Sequence, residues 1–216
     1  MLDDNWETIN GAVAHQIEIL NATNQINLIE AFVLFLSSHR GPSLDCAHPM
    51  PDSGVLMELH RTGTVILLET AGSYRNIEVY VGNGDQIIHT PPNWQAVPAR
   101  MSRFFRDLVS LWISGDALDV AAFALWGVNW IHPFRNGNGR TARAFSYLCL
   151  CVKIGTLLPG RRTIINQIMD DRENYQKFLK IADDSYKSNG VPDLSGLKVW
   201  LHELLVNQIS SVDGVL

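Results

Sequence analysis

Ile131-His132-Pro133-Phe134-Arg135-Asn136-Gly137-Asn138-Gly139-Arg140-Thr141-Ala142-Arg143 lies between two strongly patterned segments. Upstream, from Asp116 to Trp130, the residues Leu118, Ala121, Ala122, Leu125 and Val128 recur at helical spacing, and Ser114 or Asp116 can cap the segment. Downstream, Gly139 to Ile154 is apolar almost all round through Ala144, Phe145, Leu148, Leu150 and Val152, which predicts a helix buried in the middle of the domain. Gly155 suits its C′ position and Pro159 follows the stop. The quoted stretch therefore reads as a loop running into a helix N-terminus.

Such a place binds anions. The first N–H groups of a helix have no internal partners, and its dipole favours negative charge there. Gly137 and Gly139 let the backbone approach a ligand closely. Arg140 and Arg143, three apart, can grip further phosphate oxygens with forked hydrogen bonds. Asn136 and Asn138 offer amide oxygens and NH donors beside those phosphates. His132 sits just before this cradle and can take a proton near neutral pH. The pattern reads as a polyphosphate site with one base beside it.

Further out, residues 6–38 read as helical, with Asn24 as the cap of a segment whose Ile26, Ile29, Val33 and Leu36 share a face. Residues 41–54 hold three prolines and two glycines and read as a loop. Val55 to Leu68 begins as a helix. Over residues 77–89, Ile77, Val79 and Val81 alternate with polar neighbours, Gly82-Asn83-Gly84-Asp85 is a turn, and Gln86-Ile87-Ile88-His89 returns, which predicts a β-hairpin. Thr90-Pro91-Pro92 ends it, because proline cannot donate to a ladder. Helices are expected over 98–113, 163–187 and 194–210, with Arg100, Arg103 and Arg106 on a solvated face of the first. The expected fold class is mainly α with one hairpin, divided into an N-terminal helical extension (1–50) and one domain (51–216).

Composition narrows the function classes. The 216 residues carry a net charge of −5, so no bulk basic field for nucleic acid is expected. The N-terminus, Met1-Leu2-Asp3-Asp4-Asn5, lacks a cationic leader, and the apolar run Ala31 to Leu36 is too short to span a bilayer. A cytoplasmic protein without a membrane partner is the expectation. Cys46, Cys149 and Cys151 do not form a disulfide framework, and Cys149 and Cys151 read as small buried hydrophobes. His48, near Cys46, has no metal-ligand spacing, and His15, His39, His60, His89 and His202 read as surface or structural.

The quoted stretch resembles the Fic motif HPFx(D/N)GNGRxxR at every specified position. The resemblance extends over residues 55–205. Gly72-Ser73-Tyr74-Arg75, the hairpin and Pro91-Pro92 look like the family's flap, Leu59-His60-Arg61 like a flanking helix, and Leu158-Pro159-Gly160 and Glu173-Asn174-Tyr175 like its downstream segment. It implies a helical Fic domain with the hairpin over the active site. His132 would deprotonate a Ser, Thr or Tyr hydroxyl of a target protein, whose oxygen attacks the α-phosphorus of ATP. Gly137, Asn138 and Gly139 would hold phosphates, Arg140 the phosphate chain and Arg143 the γ-phosphate, with Phe134 packed under the loop. Asn136 stands at the position for Mg²⁺, where many members have Asp, and a neutral oxygen should hold the ion less tightly. Ile77, Val79, Val81, Ile87 and Ile88 would dock the target as an added strand. Gly139, where the Doc branch carries Lys, favours AMP transfer.

Two other readings remain. One is a transferase of the same fold using UMP, GMP, phosphate or phosphocholine; the other is a catalytically weak module. The family's inhibitory pattern (S/T)xxxE(G/N) is absent. Ile26-Asn27-Leu28-Ile29-Glu30-Ala31 is the nearest approach, and Glu173-Asn174 has Met169 where Ser or Thr is required. An antitoxin-like inhibitor partner is therefore expected, or none.

Overall fold

The computed structural model describes residues 6–38, 49–83 and 86–211. Cys46, His39, His48, most of the expected 41–54 loop, and Gly84 and Asp85 of the expected turn lie outside them. Eight helices are described: α1 (Gly11–Ser38), α2 (Ser53–Thr64), α3 (Val97–Ser114), α4 (Ala117–Ile131), α5 (Asn138–Ile154), α6 (Ile164–Asp170), α7 (Arg172–Asn189) and α8 (Ser195–Ser210). Among the described residues the only sheet is the antiparallel pair β1 (Val81–Asn83) and β2 (Gln86–His89).

α4 and α5 form the centre, as their apolar patterns require. Asp116 caps α4 by accepting from Leu118 N and Asp119 N at 2.9 Å each, while Asp119 returns a bond to Asp116 N at 3.1 Å. α5 is buried along nearly its whole length, with Phe145, Leu148, Cys149, Leu150 and Cys151 inside. The two helices meet closely enough for Ser146 Oγ to donate to the Ala121 carbonyl at 2.8 Å. Cys149 and Cys151 are free thiols in this core, and burial raises both above the ordinary thiol range.

Three expectations change. The segment 163–187 is two helices, because Asp171 breaks it and caps α7 by accepting from Asn174 N. The hairpin is shorter than 77–89, pairing Val81 with His89, Gly82 with Ile87 and Asn83 with Gln86. Ile77 and Val79 precede it outside any strand, since the Ile77 carbonyl is taken by the Arg75 guanidinium instead of a ladder.

α1 departs furthest. It is one unbroken helix from Gly11, with Asn24 exposed in its middle and capping nothing. Ile29 and Val33 join the main core, but Glu18, Asn21 and Gln25 are buried beside them, while Val13, Ile19, Leu20, Ile26, Leu34 and Phe35 face outward. The inward polar groups have partners: Asn21 Nδ2 donates to the Val65 carbonyl at 2.8 Å, and Gln25 Nε2 to the Leu59 carbonyl at 2.7 Å. By length and composition α1 could cross a bilayer, a test that core helices also pass, and the apolar run is longer than Ala31 to Leu36.

Candidate active site

His132 is where α4 stops. Its backbone is left-handed (φ 52°, ψ 58°), an uncommon conformation for a side-chain-bearing residue, and its N–H donates to the Val128 carbonyl at 3.0 Å. Pro133 follows and cannot continue the helix. The turn aims the imidazole back over α4, where Nδ1 lies 3.3 Å from the Asn129 carbonyl. A carbonyl only accepts, so Nδ1 carries the proton and Nε2 keeps its lone pair. Burial, with smaller contributions from the nearby charges of His89 and Arg75, lowers the His132 pKa to about 4. At neutral pH this histidine is an unprotonated base.

The loop after it is held from below. Phe134 is fully buried, and His60 of α2 stacks on it with ring centroids 3.7 Å apart and planes 5° from parallel. His60 Nδ1 accepts from Gly72 N at 2.9 Å, so its Nε2 donates to the Asn136 carbonyl at 3.0 Å. Burial lowers the His60 pKa to about 4, which keeps it neutral and suited to this double role. Asn138 is spent on the loop: its Oδ1 accepts from Phe134 N and its Nδ2 donates to the Phe134 carbonyl, each at 2.8 Å. The expected amide of Asn138 beside the phosphates is thus a brace, and only its backbone N–H remains at the helix start. Asn136 Oδ1 turns back to accept from Gly137 N at 2.6 Å.

The two motif arginines part company. Arg140 points to α1 and α2. Its Nη1 donates to the Gly63 carbonyl at 2.7 Å, Nη2 pairs with Glu18 Oε1 at 3.1 Å, and the Trp6 ring lies 5.4 Å from its guanidinium carbon. Trp6 Nε1 also donates to Glu18, at 3.0 Å, and Arg135 pairs with Glu7 at 2.8 Å. The segment around residues 6–18 therefore sits against this side of the loop. Arg143 points to α4 and α7, beside Tyr175, whose hydroxyl also accepts from Asn129 Nδ2 at 2.8 Å. Desolvation lowers its pKa, no carboxylate among the described residues offsets this, and its Nε has no hydrogen-bond partner.

Arg75 ties the hairpin to this site. Its Nε donates to the His132 carbonyl at 2.8 Å, Nη1 to the Ile77 carbonyl at 2.9 Å and Nη2 to the Pro92 carbonyl at 2.5 Å, while its backbone N–H donates to the Pro133 carbonyl at 2.8 Å. Of the expected docking residues, Ile77, Ile87 and Ile88 are exposed and Val79 and Val81 half-buried. Sequence reasoning missed Glu18 and the anchoring roles of His60, Arg75 and Asn129. The i−3 spacing of Asn129 to His132 was the one local signal; Glu18 offered none.

No cluster of three or more His, Cys, Asp or Glu side chains able to hold a metal occurs among the described residues. Asn136 fits at most one neutral oxygen ligand to a Mg²⁺ that a nucleotide brings with it.

Residues 51–150 match the model of the Fic/DOC family. The protein adenylyltransferase Fic of Drosophila erecta is 34% identical over 135 residues, spanning 60% of this chain and 24% of that protein, and that of Drosophila persimilis is 33% identical over 135 residues, spanning 60% and 23%. The chain thus covers about a quarter of the length of the curated relatives it matches. A Fic domain containing signaling protein from Bacteroides thetaiotaomicron superposes with a TM-score of 0.69 at 19% identity, over 95% of this chain and 76% of that one. Fic-1 (aa134–508) from C. elegans gives 0.64 at 20% identity, over 94% and 52%. These structures share the helical fold with its small hairpin, and residues 51–150, which carry the motif at His132, resemble the Fic/DOC family.

Proposed function

We propose that the chain transfers AMP from ATP, with Mg²⁺, to a Ser, Thr or Tyr hydroxyl of another protein. The supporting observation is the pairing of a neutral, tautomer-fixed His132 with Arg143, a desolvated guanidinium that lacks a carboxylate, at the open N-terminus of α5. A half-buried cation with no carboxylate beside it among the described residues is unfavourable, and a phosphate chain supplies the missing anion. His132 Nε2 takes the hydroxyl proton, the oxygen bonds to the α-phosphorus, and the bond to pyrophosphate breaks. Positioning and charge neutralisation carry most of such a reaction. The relatives named as adenylyltransferases support AMP as the group moved. The hairpin would offer the acceptor an edge to extend.

Purified wild type and His132→Ala, incubated with cell lysate, Mg²⁺ and ATP labelled at the α-phosphate, test this. Label on protein with wild type alone is the expected result, with the acid limb of the rate near pH 4 instead of near 6.5. No label from either variant, with transfer from GTP, UTP, CTP or γ-labelled ATP, would replace AMP by another donor.

A further inference from the structure

The hairpin has little to hold it. β1 and β2 are three and four residues long, and two-stranded ribbons of this size are marginal in water. Tyr80, Ile87 and Ile88 are 63%, 59% and 50% exposed, so burial does not anchor it. Its two stems nonetheless reach the same place, the C-terminal turn of α4. Arg75 ties the incoming stem to the His132 carbonyl. The outgoing stem ends in His89, whose Nε2 donates to the Trp130 carbonyl at 2.9 Å. Carbonyls at a helix C-terminus favour just such donors.

His89 has a second contact. Its Nδ1 lies 3.2 Å from Asp183 Oδ2 of α7, without hydrogen-bond alignment. Asp183 is itself fixed, because its Oδ1 accepts from Trp126 Nε1 of α4 at 2.9 Å. The His89 and Asp183 side chains are only 10% and 15% exposed. A carboxylate so enclosed needs a hydrogen-bond donor, which Trp126 supplies, and His89 packs against its other oxygen. Trp130 and Tyr186 close the site edge to face, with centroids 4.7 Å apart.

We propose that His89 and Asp183 are positioning residues: the pair fastens the outgoing strand of the hairpin to α4 and α7, and so sets the reach between a docked acceptor strand and His132. The consequence for transfer rests on the function proposed above; the fastening does not.

The test is amide hydrogen exchange on the full chain for wild type, His89→Ala, His89→Gln and Asp183→Asn, with binding of a fluorescent ATP analogue measured alongside. His89→Ala should exchange residues 79–89 at least tenfold faster, with α4, α5 and analogue affinity unchanged. His89→Gln, whose side-chain amide can donate to the Trp130 carbonyl, should restore most of the protection. Asp183→Asn, which still accepts from Trp126, should quicken the hairpin by less. Unchanged hairpin exchange in both His89→Ala and Asp183→Asn would overturn the proposal, as would loss of protection spread through α4. In the labelling assay His89→Ala should lower transfer to lysate proteins. A wild type that labels nothing would sink the transferase reading while leaving the exchange result to judge the fastening.

Discussion

Gly137 and Gly139 stand two residues apart under different constraints. Gly137 is left-handed (φ 73°, ψ 7°), and a Cβ there would lie 2.7 Å from Thr64 Cγ2, so the fold itself requires glycine. At Gly139 a Cβ would meet nothing nearer than Arg143 Nη1 at 3.4 Å, so packing barely constrains it. What would exclude a side chain at 139 is a ligand against the backbone. Gly137→Ala should therefore destabilise the protein by about 1–2 kcal/mol in urea unfolding. Gly139→Ala should leave stability within about 1 kcal/mol of wild type, since alanine suits a helix, yet weaken ATP binding about tenfold. Wild-type ATP affinity in Gly139→Ala would mean that no nucleotide lies against residue 139.

At the scale of elements, α1 is more than an appendage to the domain. Through Glu18 it occupies one arm of the Arg140 fork, while α2 holds the other through the Gly63 carbonyl. For Arg140 to grip phosphate as the motif implies, one of these must yield. Glu18→Gln keeps an acceptor for Trp6 but removes the charge, so Arg140 becomes free to turn. ATP affinity measured by calorimetry should rise about fivefold, the equivalent of roughly 1 kcal/mol for a partly buried pair. Unchanged or weaker binding would show that Glu18 only braces the arginine. Restraint of this kind would come from within the chain, whereas the sequence pointed to a separate inhibitor or to none. Glu30 is exposed on α1, and nothing places it against either motif arginine.

For the molecule as a whole, the buried His60 and the half-buried His132 bear on its acid tolerance. His60 and His132 both fall to about 4 in the fold, below their ordinary value of 6.5, mainly through burial. The unfolded chain then binds more protons than the folded one between those pH values. Their contribution to stability is complete above pH 6.5 and is lost as pH falls from 6.5 towards 4. Urea unfolding at pH 7.5, 5.5 and 4.5 should show stability flat above 6.5 and falling below it, by an order of 1–3 kcal/mol per histidine over the window. A flat profile down to pH 4.5 would contradict the lowered values of both histidines.

The sequence by itself determined what neighbours in the chain decide. The capped start of α4, the loop into α5 and the glycine after it each depend on a few adjacent residues whose backbone preferences are local. The motif from His132 to Arg143 was legible for the same reason. Tertiary structure alone decided what each of those residues faces. His60 meets Asn136 across 76 positions, and Glu18 meets Arg140 across 122. The direction of α1 was also hidden, since periodicity reports where apolar groups recur and assumes that they turn inward. Here Asn21 and Gln25 turn inward because the Val65 and Leu59 carbonyls accept their amide protons, while Glu18 meets Arg140 and Trp6. Those partners are brought near only when α1 packs against α2 and α5, so no local pattern could announce them.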